Sequence, residues 1–96
     1  MSAYVIVDVE VENPEAYTEY RQQVTGTFAP FGGRFLVRGG KLEHLEGDRG
    51  PQRLVMLEFP SFEQAKSWYQ SPEYQAIIPI RQRNATTHFM SVVEGV

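Results

Sequence analysis

The run from Arg53 to Tyr74, RLVMLEFPSFEQAKSWYQSPEY, constrains this chain more than any other. An apolar strand is stopped by Pro60 and feeds at once into a helix carrying Trp68 and Tyr69, so strand and helix must pack on one sheet. Strand side chains alternate between faces. Val55, Leu57 and Phe59 therefore point one way and Leu54, Met56 and Glu58 the other, and both sides carry the apolar weight of a sheet covered twice. Ser61 with Gln64 three residues later forms a capping box, and Phe62, Ala65, Trp68 and Tyr69 mark the helix's inner face. Ser71-Pro72-Glu73 repeats the cap-then-proline pattern and opens a short helical turn with Tyr74, Ile77 and Ile78. Pro79 is expected to interrupt the pattern and make Ile80 to Ala85 a kinked or irregular continuation.

Upstream, Tyr4 to Glu12 alternates strictly, with Val5, Val7, Val9 and Val11 on a buried face and Tyr4, Ile6, Asp8 and Glu10 on the other. Asn13-Pro14-Glu15 starts a helix whose stripe is Ala16, Tyr17, Tyr20 and Val24. It should fade near Thr25-Gly26, leaving Thr27 to Gly33 as a loop. Arg34 to Arg38 reads as a second strand. Gly39-Gly40 would bend it and Lys41 to Glu46 continue it, with Gly47 to Gln52 as the tip of a long hairpin into Arg53. Thr86 to Val93 closes the chain as a last strand.

The order is strand, helix, strand, strand, helix, strand. With right-handed crossovers this predicts a ferredoxin-like α+β sandwich, βαββαβ, whose four-stranded antiparallel sheet carries two helices on one face. Ninety-six residues with 42% hydrophobic and 22% charged content suit a single domain over 1–96. So small a domain buries little of its own surface. The bare sheet face, with Tyr4, Ile6, Leu54 and Met56, is accordingly expected to pack on a second copy and make a homodimer.

Composition excludes several functions. The net charge of −3, with nine basic and twelve acidic residues, offers no basic stripe for nucleic acid. There is no cysteine, hence no disulfide, thiolate metal site or cysteine nucleophile. Asp8 and Glu10 interrupt the first apolar run, which argues against a signal peptide or membrane span and for a cytoplasmic protein.

Several runs carry a resemblance: Gly32-Gly33-Arg34-Phe35-Leu36-Val37-Arg38-Gly39-Gly40, then Leu45-Glu46-Gly47, Arg53-Leu54-Val55 with Glu58-Phe59-Pro60, and Trp68-Tyr69 before Ser71-Pro72-Glu73-Tyr74. Together they resemble the bacterial DUF1330 family, a domain of unknown function, across nearly the whole chain. The resemblance implies the dimeric α/β-barrel fold shared with cofactor-free monooxygenases, small decarboxylases and stress-linked barrel proteins. It implies no reaction, because fold alone does not carry function.

The residues suggest candidates of their own. Arg34 and Arg38, four apart on one strand, should face the same side and could clamp a carboxylate, or pair with Glu43, Glu46 or Glu58. The double glycine after Arg38 would let a ligand approach the backbone. His44 and His88 lack any spacing for a metal site, and no metal or cofactor is expected. His44 could act as a general base beside Glu46 or Asp8, or be a half-exposed strand histidine. Asp8 and Glu58 should lie on the partner face, either with raised pKa or paired with Arg53 and Arg81. Among the many aromatic residues, Tyr17 and Trp68 best suit the wall of a cleft for a planar or carbonyl-bearing molecule.

Two functions follow. In the first, a cleft between sheet and helices binds a small carboxylate- or carbonyl-bearing molecule, with Arg38, Trp68 and Arg34 as ligand-binding residues and His44 or Tyr17 handling protons in cofactor-free catalysis. In the second, the protein is a non-catalytic dimer whose polar strand residues serve only its interface.

Overall fold

Strand β1 (Ala3–Val11) lies inside the sheet, its alternating valines forming one apolar face that β-branched residues pack well. It pairs antiparallel with β3 (Leu54–Phe59) on one side and β4 (Ala85–Glu94) on the other, and β2 (Arg34–Arg38) completes the order β2-β3-β1-β4. The computed structural model describes residues 1–96. Helices α1 (Pro14–Phe28), α2 (Phe62–Gln70) and α3 (Pro72–Asn84) complete a ferredoxin-like α+β fold. Val5, Val7, Val9, Leu57 and Phe59 meet Trp68, Tyr74, Ile77 and Ile78 in one core on the helical side.

Local chemistry sets the helix starts. The Asn13 side chain accepts the Ala16 amide at 3.2 Å, Ser61 Oγ accepts the Gln64 amide at 3.1 Å, and Ser71 Oγ accepts the Tyr74 amide at 3.2 Å. Each cap satisfies an amide that the helix itself leaves orphaned.

Four stretches depart from the sequence expectation. Helix α1 does not fade at Thr25-Gly26 but runs to Phe28, followed by a 3-10 turn over Ala29–Phe31. An exposed glycine costs a helix only about 1 kcal/mol. Phe28 is fully buried, edge-on to Phe35 with ring centroids 5.0 Å apart, which is worth more. Helix α3 likewise continues through Pro79, which sits on the exposed side while Ile77, Ile78 and Arg81 are buried. What reads as a short turn is thus a third full helix. Lys41 to Glu46 forms no strand; residues 39–53 are one loop between β2 and β3. Tyr69 is exposed rather than on the inner face of α2.

Two strands also carry an irregularity that period-two reading misses. In β2 the pairing runs Arg34 with Glu58, Phe35 with Leu57, then Val37 with Met56 and Arg38 with Val55, so Leu36 is an extra residue. In β4, Phe89 pairs with Asp8 and Thr87 with Val9, so His88 is extra. A bulge of this kind shifts the register and reverses which side chains face inward beyond it. Arg34 and Arg38 consequently lie on opposite faces, not on the same one. Thr87 turns inward and His88 outward.

Candidate anion-binding cavity

Between the inner sheet face and the helices lies a cavity of about 50 Å³. Ten of its fourteen lining residues are hydrophobic, and the other four are Arg21, Arg38, Arg53 and Arg81. No aspartate or glutamate lines it.

Each arginine arrives by a different route. Arg38 follows the bulge in β2, and its guanidinium rests on the Phe35 ring at 4.5 Å. Arg53 enters from the end of the 39–53 loop, tight against Gly39, where a Cβ would stand 2.5 Å from the Arg53 Nε. With φ of +68°, Gly39 also needs the left-handed conformation that glycine adopts freely. The double glycine therefore admits Arg53, not a ligand, to the backbone. Arg21, one turn beyond Tyr17 on α1, lies over the Tyr17 ring at 5.3 Å. Arg81, on the same stripe of α3 as Tyr74, Ile77 and Ile78, is only 5% exposed and donates through Nη1 to Thr87 Oγ1.

The backbone of Arg53 is fixed from the opposite side of the sheet. Asp8 Oδ1 accepts the amides of Gln52 and Arg53 at 2.8 and 3.2 Å. Asp8 is thus buried among loop amides, where Arg53 and Arg81 had been its expected side-chain partners. Glu58 is met by Arg34, whose Nε donates to its Oε1 at 2.8 Å.

Electrostatics inside the cavity are one-sided. Burial lowers the pKa of Arg53, and repulsion from Arg21 and Arg38 lowers it further. Burial opposes the charge on Arg81 too, but the oxygens of Tyr74 and Tyr20 outweigh it and hold its pKa up. Buried Nε atoms of Arg21 and Arg81 have no hydrogen-bond partner. Such orphaned donors are costly unless something accepts from them.

The tyrosines are held neutral. Burial raises the pKa of Tyr17, although Arg53, Arg81 and Arg21 pull the other way. Tyr20 and Tyr74 are likewise pushed up by burial, and their hydroxyls bond each other at 2.8 Å. That leaves Tyr17 as the lining hydroxyl open to a ligand. Trp68 forms one wall, its Nε1 donating to Thr27 Oγ1 at 3.0 Å, while Thr27 donates on to Val24 O at 2.6 Å.

Of the candidates named from sequence, Tyr17, Arg38 and Trp68 share this cavity. Arg34 lies outside on the outer face with Glu58. His44 also lies outside, in the exposed 39–53 loop, where its Nε2 donates to Gly47 O at 2.9 Å and its ring packs against Gly50. It closes a local turn. His88 is on the outer face 3.3 Å from Glu10. Sequence reasoning missed Arg21, Arg53 and Arg81 as cavity residues. The helical stripes Tyr17-Arg21-Val24 and Ile77-Ile78-Arg81 signal that two of them point inward.

A family model described as Domain of unknown function (DUF1330) matches residues 2–96. No curated protein matches. Among solved structures, a protein of unknown function from Rhodopseudomonas palustris superposes with a TM-score of 0.73 at 17% identity, over 99% of this chain and 82% of its own. SnoaB, a cofactor-independent oxygenase from Streptomyces nogalater, superposes with a TM-score of 0.65 at 12% identity, over 99% and 93%. A putative antibiotic biosynthesis monooxygenase from Chloroflexus aurantiacus gives 0.60 at 13% identity, over 100% and 94%. Likeness at these identities is likeness of fold.

Proposed function

We propose that this chain, which belongs to the DUF1330 family, binds a small organic anion, carboxylate- or carbonyl-bearing, in the cavity between its sheet and helices. One observation carries the reading: four guanidiniums converge on a space without a single carboxylate, and two of their buried Nε donors are unmet. Of the four, Arg81 is buried and one of its donors is unmet, so an anion reaching it would supply the missing acceptor.

The same residues limit the chemistry. The arginines can hold a carboxylate or an enolate oxygen, and Tyr17 can donate a proton. Neither a histidine nor a carboxylate lines the cavity, and Tyr17 is a neutral phenol at neutral pH because burial raises its pKa. The protein therefore offers electrostatic stabilisation and a proton donor but no general base. Its fold likeness to a cofactor-independent oxygenase makes cofactor-free turnover of an acidic, self-ionising substrate the reaction to look for.

The outer sheet face supports the homodimer as part of this reading. Phe89 and Val93 are exposed there beside the half-buried Tyr4, Ile6 and Met56, an apolar surface of the kind that protein partners cover. Sedimentation at micromolar concentration should give twice the monomer mass; a folded monomer would remove the dimer while leaving the cavity reading intact.

Thermal-shift measurements with simple carboxylates test the ligand. Wild type should be stabilised and Arg38→Ala less so. Absence of any carboxylate-dependent shift in the wild type would sink the anion reading.

A further inference from the structure

The cavity's arginines reach it from more than one side of the sheet. Arg38 leaves β2 and Arg53 enters at the start of β3, so both come from the β2–β3 edge of the sheet. Arg81 is anchored to Thr87 on β4, the strand at the other edge. Strand β1 runs between, and its Val7 and Val9 line the cavity together with Val55 and Leu57. Two strand spacings separate β3 from β4, roughly 10 Å between backbones. Guanidiniums reaching inward from both sides therefore leave a gap of a few carbon atoms, floored by apolar side chains.

We infer that the ligand carries two acidic groups joined by a short carbon chain, one held by Arg38 and Arg53 and the other by Arg81, with Tyr17 between them. This rests on the reading of the cavity as an anion site. A ligand with a single carboxylate would satisfy one edge and leave the other guanidinium buried without a counter-charge. At Arg81, 5% exposed, the Nε would then stay without an acceptor. The apolar floor suits methylene groups and disfavours a fully polar anion such as phosphate. The free space, about 50 Å³ or three to five water-sized positions at roughly 10–15 Å³ each, argues against a long or ring-bearing diacid and for the shortest ones.

The test pairs acids that differ only in the second charge. Calorimetric titration of the full chain should give succinate an affinity at least tenfold above butyrate. Arg38→Gln, at the exposed end of β2, should bring succinate down to the butyrate level, and Arg81→Gln should do the same from the other edge. If butyrate binds wild type as tightly as succinate, and Arg38→Gln weakens both alike, the two-ended ligand is wrong while the anion site stands. If inorganic phosphate binds more tightly than any diacid, the two charges belong on one group and the inference also fails. If no acid binds at all, the parent reading falls with it.

Discussion

The two faces of the sheet treat charge in opposite ways. On the outer face Arg34 meets Glu58 and His88 meets Glu10. On the inner face Arg21, Arg38, Arg53 and Arg81 meet no acid at all. Exposed pairs of the first kind contribute little, because water already stabilises both ions. Among the second kind, Arg53 is the charge that burial and its arginine neighbours disfavour. The difference separates charges paired across the surface from charges that, on the proposed reading, would serve an anion.

The largest effect should come from the wall between core and cavity. Trp68 is 1% exposed and stacks at 4.2 Å from the Tyr74 ring. Trp68→Ala should cost about 3–5 kcal/mol in urea unfolding, as large-to-small core changes do. A loss much below that range would mean that the inner face is loosely packed around the cavity, weakening the contrast with the outer one.

Next comes Asp8, which belongs to both faces: its carboxylate is on the outer side, yet it fixes the backbone from which Arg53 enters the cavity. Asp8→Ala leaves two amides unmet and should cost about 1–3 kcal/mol. As a positioning residue it should also weaken anion binding, and Asp8→Asn, which keeps an acceptor oxygen, should recover much of both. An Asp8→Ala protein with unaltered succinate affinity would show that Arg53 needs no such support.

How much of this could be read from residues alone depends on the range of the forces involved. Strand periodicity, caps at Asn13, Ser61 and Ser71, and the element order are local, so they and the ferredoxin-like architecture were legible. Tyr17 and Trp68 declare themselves by helical stripe, whereas Arg38 faces the cavity because of the bulge at Leu36 and not because of the double glycine that singled it out. The bulges at Leu36 and His88 were not legible. Each adds a residue only relative to a partner strand, so a single strand contains no trace of it. Arg34 and Arg38 consequently read as sharing a face when they lie on opposite ones, although Glu58 was among the partners named for Arg34. Helix α1 overrode Gly26, and α3 overrode Pro79, because the buried residues beyond each gain more than the local penalty. His44 looked chemical because histidine often is, whereas here it folds back on its own loop.

A smaller effect of opposite sign should follow from relieving the inner repulsion. Arg53 is depressed by burial and by Arg21 and Arg38, so Arg53→Met should leave the ligand-free protein as stable as wild type or more stable by up to about 1 kcal/mol, since replacing a poorly paired charge by an apolar side chain is often neutral or favourable. Anion binding should weaken in the same protein. A variant that loses both stability and binding would place Arg53 with the structural charges of the outer face.

The smallest effect belongs to that outer face and shows itself through pH. Hydrogen bonding from Arg34 holds Glu58 below its ordinary pKa. A carboxylate whose folded pKa is depressed stabilises the protein above its unfolded pKa, about 4.3 for glutamate, and that contribution is lost as pH falls through the folded value. Wild type should therefore melt slightly above Glu58→Gln at pH 6, and the two should converge as the pH is lowered past 4. Glu58 is open to water, so the gap at pH 6 should be minor beside those of Trp68 and Asp8, and raising the salt concentration should narrow it. Succinate affinity should be the same in both proteins, because no cavity residue changes. A Glu58→Gln protein that bound succinate differently would join the two faces electrostatically and end the distinction between them.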